Sequence, residues 1–183
     1  MKNKKIQLRK NLLVQLQNFS ASEKTKQQQK IEKLFLNSEE YSQAKVIGFY
    51  ASLPTEVETC FLIKQSLNLN KQIALPRISG KNLEFHEIQS LTNLEIKQFK
   101  IREPNPNLPK VKLRKLDLLV VPALAFDQQN NRLGRGLGFY DRILAKFVGI
   151  SVGLAFDFQI LLKLPVDNWD QKISKIFSVL EFR

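Results

Sequence analysis

The part of the chain richest in chemistry is Arg132-Leu133-Gly134-Arg135-Gly136-Leu137-Gly138-Phe139-Tyr140-Asp141-Arg142. Three glycines at alternate positions let a backbone approach phosphate oxygens closely, and Arg132, Arg135 and Arg142 offer planar cationic forks that match them. Together they ask for a polyphosphate. A carboxylate beside bound phosphate would be repelled unless a cation lay between, and Mg²⁺ is the usual one, so Asp141 is a candidate metal ligand. The spacing Gly134-x-Gly136-x-Gly138 fits neither the dinucleotide fingerprint nor the phosphate loop that ends in Gly-Lys-Ser/Thr. Taken alone, the glycines are equally compatible with a turn that starts a helix, Asp141 then favouring the helix dipole. The arginines move the balance toward binding.

Something must hold this segment in place, and the hydrophobic periodicity says what. Residues 4–19 set Ile6, Leu8, Leu12, Leu13, Leu16 and Phe19 along one helical face. A second helix is expected from Ser20, with a capping box to Glu23 and with Ile31, Leu34 and Phe35 buried. From residue 45 the pattern alternates. Strands are expected at 46–51, 73–75, 83–88, 116–121, 150–156 and 176–180, and helices at 56–67, 139–147 and 158–164. Residues 102–109 contain Pro104, Pro106 and Pro109 and are expected as loop. Strands alternating with helices indicate an α/β fold, a three-layer α/β/α sandwich with a largely parallel sheet. The expected organisation is a single domain over 1–183, with N-terminal helices at about 4–38 and an α/β core at about 45–183. The glycine–arginine segment then follows the most apolar strand, where open α/β sheets collect ligands.

Composition narrows the class. The only cysteine, Cys60, excludes an internal disulfide framework and any multi-thiolate metal site. The longest apolar run, 118–126, contains Pro122 and is far shorter than the ~20 residues of a membrane span. The basic N-terminus leads into an amphipathic pattern instead of the apolar core of a secretion signal, so a cytoplasmic location is expected. The net charge of +12 comes from lysines scattered along the chain, without a stripe or a nucleic-acid-binding signature. A small anionic molecule is therefore favoured over nucleic acid as partner, and no membrane and no second subunit are expected.

Further candidates are weaker. Lys5 and Arg9 lie one turn apart and could clamp phosphate together, or form a solvated face. Glu56 follows a strand and a proline-containing loop, a frequent place for a functional side chain and also for a helix-starting Glu. His86, the only histidine, has no partner in the sequence and reads as a surface residue. Trp169, beside Asp170, could line a site or fill a core edge.

Val121-Pro122-Ala123-Leu124-Ala125-Phe126-Asp127 followed by Asn131-Arg132-Leu133-Gly134-Arg135-Gly136-x-Gly138-Phe139-Tyr140-Asp141-Arg142 resembles the signature of the 5-formyltetrahydrofolate cyclo-ligase family. Lys5-x-x-Leu8-Arg9 resembles its N-terminal ATP-contacting motif, and Ala51-Ser52-Leu53-Pro54-Thr55-Glu56 its folate-contacting segment. Leu75-Pro76-Arg77 and Glu103-Pro104 match secondary positions, and Leu164-Pro165-Val166-Asp167-Asn168-Trp169-Asp170 resembles a distal motif whose last Asp helps hold Mg²⁺. The resemblance implies an ATP- and Mg²⁺-dependent enzyme that closes 5-formyltetrahydrofolate to 5,10-methenyltetrahydrofolate: the formyl oxygen takes the γ-phosphoryl group, and N10 then attacks the activated carbon and expels phosphate. It implies Lys5, Arg9 and residues 132–140 around ATP, namely Arg132, Leu133, Gly134, Arg135, Gly136, Leu137, Gly138, Phe139 and Tyr140. It places Ala51, Glu56, Arg135, Gly136, Leu137, Gly138 and Phe139 around folate, which in cells can carry a polyglutamate tail. Arg132 and Arg135 become the catalytic cations, and Asp141 and Asp170 the Mg²⁺ ligands. Two positions depart from the pattern: Leu137 stands where the family commonly has Lys, and Ser174 where it often has Asp. Two rivals follow, a relative acting on another substrate and a basic module gripping nucleic-acid phosphates.

Overall fold

The central strands carry apolar residues on both faces, because helices cover both sides of the sheet. In Val46–Gly48 (β1), Gln72–Ser79 (β2), Leu118–Val121 (β7) and Ile150–Leu154 (β10), one face presents Ile47, Ile73, Leu75, Leu118, Val120, Val152 and Leu154. The other presents Ala74, Leu119 and Val121. The computed structural model describes residues 2–96 and 101–180.

In chain order the elements are helices Lys2–Asn18 (α1), Ala21–Leu36 (α2) and Glu39–Gln43 (α3), then β1, helix Cys60–Asn68 (α4), β2, Asn82–Ile88 (β3), Leu94–Ile96 (β4), Arg102–Pro104 (β5) and Lys110–Val111 (β6). They continue with β7, Ala125–Asp127 (β8), Arg132–Leu133 (β9), helix Phe139–Leu144 (α5), β10, Ile160–Leu161 (β11) and Lys175–Phe177 (β12). The main sheet has the order β12-β10-β7-β1-β2-β3-β6, parallel from β12 to β2 and antiparallel at β3 and β6. The fold is therefore the expected three-layer α/β sandwich. α2, α3 and α4 lie on one face, where Ile31 and Phe35 are fully buried at about 2 kcal/mol each; α5 lies on the other through Ile143 and Leu144.

A small second sheet, β11-β8-β9, rests on the α5 face. Gly153 of β10 makes that seat possible, since a Cβ there would come within 2.3 Å of the Phe126 ring of β8. α1 then packs Leu12 against Leu124, Ala125, Leu133 and Leu164 of this sheet and its flanks. No helix among the described residues is long and apolar enough to cross a membrane.

Several local expectations change. Residues 158–164 are no helix: a 3₁₀ turn at Asp157–Gln159 leads into β11, because Gln159 turns its amide inward to the carbonyls of Ala123 and Leu124 and its oxygen to the Phe156 amide. α4 starts at Cys60, not 56, because the Glu56 carboxylate closes its own turn on the Leu53 amide. α5 stops at Leu144, short of 147. The strand expected at 46–51 ends at Gly48, that at 73–75 runs on to Ser79, and that at 176–180 is Lys175–Phe177. Pro104 does not keep its segment irregular: β5 pairs with β4 as a two-stranded ribbon, where a missing amide costs little. Leu34 is exposed, one position off the stripe set by Ile31 and Phe35. Ser20 caps α2 on the Glu23 amide at 3.3 Å, but the Glu23 carboxylate takes the Gln27 side chain instead of reaching back. His86 is a core residue, 1% exposed, with Nδ1 at 2.9 Å from the Leu108 carbonyl; it faces away from α5, and the crossing segment before β6 covers it.

Candidate active site

The order of strands contains one reversal. From β1 the chain moves to β2 on one side, and later to β7 on the other, so the carboxyl ends of β1 and β7 diverge into a crevice. Tyr50 and Ala51 follow β1, Pro122 and Ala123 follow β7, and all four line a cavity of about 720 Å³. Lys5 and Arg9 of α1, Glu56, the whole of residues 132–141, and Asp167, Trp169 and Asp170 also line it, beside β2, β3 and β5. Every residue named from the sequence as a site candidate in the resemblance thus meets in one place.

The glycine–arginine segment is held from behind by the β8–β9 hairpin. Asp127 at its turn is fully buried and accepts four hydrogen bonds, from the amides of Gln129, Asn131 and Leu164 and from the Asn131 side chain, all at 2.9–3.0 Å. Burial alone would raise its carboxyl; these donors outweigh burial and hold it below the ordinary range. Beyond the hairpin the backbone opens. Gly136 has φ +102°, a region closed to ordinary side chains, and Arg9 lies across it: a Cβ there would be 3.4 Å from the guanidinium carbon. Arg9 Nε donates to the Gly134 carbonyl at 2.8 Å, which fixes α1 against the loop.

The arginines divide the work. Arg132 is buried, donating to Asp141 Oδ1 at 2.8 Å and to the Pro122 carbonyl at 3.2 Å, while its Nε has no partner among the described residues. Arg135 is exposed and reaches across the cavity to Thr55 Oγ1 at 2.6 Å and Glu56 Oε1 at 3.4 Å. Arg142, one of the three forks counted in the sequence, is turned away: it donates to the carbonyls of Lys81 and Leu137 and lies over the Phe139 ring at 5.2 Å. It braces the loop and is no part of the cavity wall.

One turn before Arg9 on α1, Lys5 is buried between two carboxylates, donating to Asp167 Oδ2 at 2.7 Å and to Asp170 Oδ2. Burial would lower the Lys5 ammonium, but the two carboxylates outweigh it and raise it above the ordinary value. Asp170 Oδ2 also accepts the Asp167 amide at 2.7 Å, which closes the turn that carries Trp169. Asp167 was absent from the sequence candidates. Its signal is the Asp-x-x-Asp spacing with Asp170, meaningful only once Lys5, 162 residues away, is brought to it.

Glu56 is buried, and burial raises its carboxyl despite the Leu53 amide and Arg135. Burial, with the Glu56 charge nearby, likewise pushes the hydroxyls of Tyr50 and Tyr140 up. The two secondary landmarks also meet: Arg77 lies 3.6 Å from Glu103 and donates to the Pro104 carbonyl. Ser174, where Asp was expected more often, exchanges hydrogen bonds with Ser151 and ties β10 to the start of β12. Leu137 is 62% exposed at the rim.

The wall suits a polyphosphate, since a buried guanidinium nitrogen lacks a partner among the described residues and a glycine backbone lies open between two arginines. For a metal the fit is partial: no group of three acidic, histidine or cysteine ligands is assembled among the described residues. Two carboxylates facing a phosphate site are nevertheless the usual provision for Mg²⁺, which completes its shell with water and phosphate oxygens.

Comparison with known proteins agrees with this geometry. The family model of the 5-formyltetrahydrofolate cyclo-ligase family matches residues 1–179. The chain is 37% identical over 160 residues to the 5-formyltetrahydrofolate cyclo-ligase of Haemophilus influenzae, covering 84% of this chain and 86% of the relative. It is 37% identical over 134 residues to that of Escherichia coli, covering 69% and 74%. The solution structure of Aquifex aeolicus 5,10-methenyltetrahydrofolate synthetase superposes with a TM-score of 0.85 at 31% identity, over 94% of this chain and 88% of that one. By fold, by the order of its motifs and by the cavity they build, this chain belongs to the 5-formyltetrahydrofolate cyclo-ligase family.

Proposed function

We propose that the chain converts 5-formyltetrahydrofolate to 5,10-methenyltetrahydrofolate with ATP and Mg²⁺, releasing ADP and phosphate, as a cytoplasmic monomer. One observation carries the reading: a single cavity unites a cationic glycine loop, two carboxylates beside it, and the Ala51–Glu56 segment on the opposite lip. When bound, ATP supplies the γ-phosphoryl group that turns the formyl oxygen into a leaving group. The protein's part is positioning and charge stabilisation, since phosphoryl transfer needs little covalent help.

In this reading the backbone of residues 133–140 lies along the phosphates, with Lys5 and Arg9 on the α1 side. Arg132 supplies the fixed positive charge of its buried guanidinium beneath the loop, and Arg135 exchanges Thr55 and Glu56 for the transferring group. Asp141 and Asp170 would hold Mg²⁺. Arg132 pairs with Asp141 and Lys5 with Asp170, and Lys5 keeps Asp167 as its partner when Asp170 turns to Mg²⁺. Ala51, Glu56 and the loop residues Gly136, Leu137, Gly138 and Phe139 would face the folate, with buried Glu56 offering acceptor oxygens to ring N–H groups. The net charge of +12 favours an anionic, polyglutamylated substrate by steering at low salt.

The test is ADP release measured with and without 5-formyltetrahydrofolate, together with the absorbance of the methenyl product. ADP release that depends on the folate supports the reading. No methenyl product with ATP and Mg²⁺ present would sink it. A second reading, a family member acting on another substrate, is favoured by the exposed apolar side chain of Leu137 on the cavity rim. It predicts ATP binding in the same assay without methenyl product.

A further inference from the structure

Trp169 is the only tryptophan of the chain, and it is spent on the surface: 69% exposed, on the wall of the cavity, and packed into none of the three apolar clusters. Its backbone is nonetheless held. The turn beneath it is closed by the Asp170 amide on the Asp167 carbonyl at 3.0 Å and by the Asp167 amide on Asp170 Oδ2 at 2.7 Å. Lys5, buried in α1, then ties both carboxylates down. Gln171 donates to the Trp169 carbonyl at 3.2 Å. An indole on an anchored base, with no aromatic or cationic partner among the described residues, leaves a large flat face toward the cavity mouth. Such a face is costly in water and gains most from another flat π-system laid upon it.

We propose that Trp169 is a binding platform on which a planar heteroaromatic ring of the bound ligands stacks. The chemistry admits two sources, the purine of the nucleotide and the pterin of the folate. This assignment rests on the functional reading above. Anchoring through Lys5 gives it a further meaning: the same ammonium that secures the platform lies on the phosphate side of the cavity, so the ring and the charged part of one ligand would be gripped from adjoining elements.

The test compares the natural chain with Trp169→Ala and Trp169→Phe by calorimetric titration with a non-hydrolysable ATP analogue, with inorganic tripolyphosphate and with 5-formyltetrahydrofolate. The emission of the sole tryptophan is followed in parallel. If the purine stacks, Trp169→Ala weakens the ATP analogue by about ten-fold, the Phe variant keeps affinity within about three-fold, and tripolyphosphate, which has no ring, is bound equally by all. Tryptophan emission then responds to the analogue and not to tripolyphosphate. If the pterin stacks, the same pattern is seen with the folate while the analogue is unaffected. Unchanged affinity of Trp169→Ala for both ring ligands overturns the proposal. So does an equal loss for tripolyphosphate, which would make Trp169 only a support of the turn. A natural chain that forms methenyl product while Trp169→Ala keeps both affinities defeats this assignment alone; a natural chain that binds neither ring ligand defeats the functional reading with it.

Discussion

Two acidic positions, Asp127 behind the cavity and Asp141 in its wall, lie in the same stretch of chain and do opposite things. Asp127 is fully buried and has all its acceptor capacity taken by four donors of its own hairpin and of Leu164. Asp141 is half-buried, faces the cavity and is held by one arginine. Asp170 lies between the two, its Oδ2 meeting both the Lys5 ammonium and the Asp167 amide. A carboxylate saturated by fixed donors can do nothing but hold the fold, whereas one that meets a side-chain cation at the cavity wall keeps acceptor capacity for a ligand. The contrast separates scaffold from site without reference to sequence position.

The sharpest way to break this contrast is Asp141→Asn. It should lower Mg²⁺-dependent turnover by about 100-fold or more while the protein still folds, with a lower melting temperature because the buried Arg132 guanidinium loses its counter-charge; normal turnover in the variant would remove Asp141 from the proposed metal site. Asp170→Asn should act in the same direction but less severely, because Lys5 retains Asp167 as partner.

The arginines sharpen the comparison next. Loss of either guanidinium should weaken a non-hydrolysable ATP analogue by roughly 1.5–3 kcal/mol, the usual worth of a charge-assisted hydrogen bond. Arg135→Ala, whose side chain is exposed, should do so without loss of stability. Arg132→Ala should also lower the melting temperature, since it leaves Asp141 and the Pro122 carbonyl without their donor. Equal affinity in both variants would leave the loop as no more than a turn.

On the scaffold side, Asp127→Asn should cost about 3 kcal/mol by setting an amide against fixed donors, or about 6–12 °C in melting temperature for a chain of this length. Nucleotide affinity of the folded fraction should stay within error. The pH dependence has a defined sign. Because the folded-state carboxyl is depressed below 3.8, it contributes stability that is present above that pH and is lost as pH falls through the lower folded value. The Asn variant should therefore show a flatter acid limb in chemical denaturation.

The smallest effect is expected at Leu137. Arg9 already lies against Gly136, and Arg142 donates to the Leu137 carbonyl, so an added cation enters a crowded positive field. Leu137→Lys should alter kcat within about five-fold, as for an exposed charge worth under ~1 kcal/mol. A larger gain in kcat than in KM for ATP would mean that the transition state lacks a cation here.

Hydrophobic patterning was enough for the layers, because strands buried on both faces and helices with one apolar stripe admit little else. The sequence also marked the glycine–arginine segment, whose residues are contiguous and whose chemistry is local. It misplaced what is decided by a single inward turn of a polar side chain: Gln159 dissolving an expected helix, Glu56 delaying α4, His86 entering the core. The part of the wall made by α1 and the turn at 167–170 rests wholly on tertiary packing. Lys5 meets Asp167 and Asp170 across 162 and 165 residues, and Gly153 admits Phe126 from a different sheet. No periodicity encodes such pairs, since an ion pair or a ring seated on a glycine depends on where two distant backbones come to rest. That placement is set by the packing of the whole sheet.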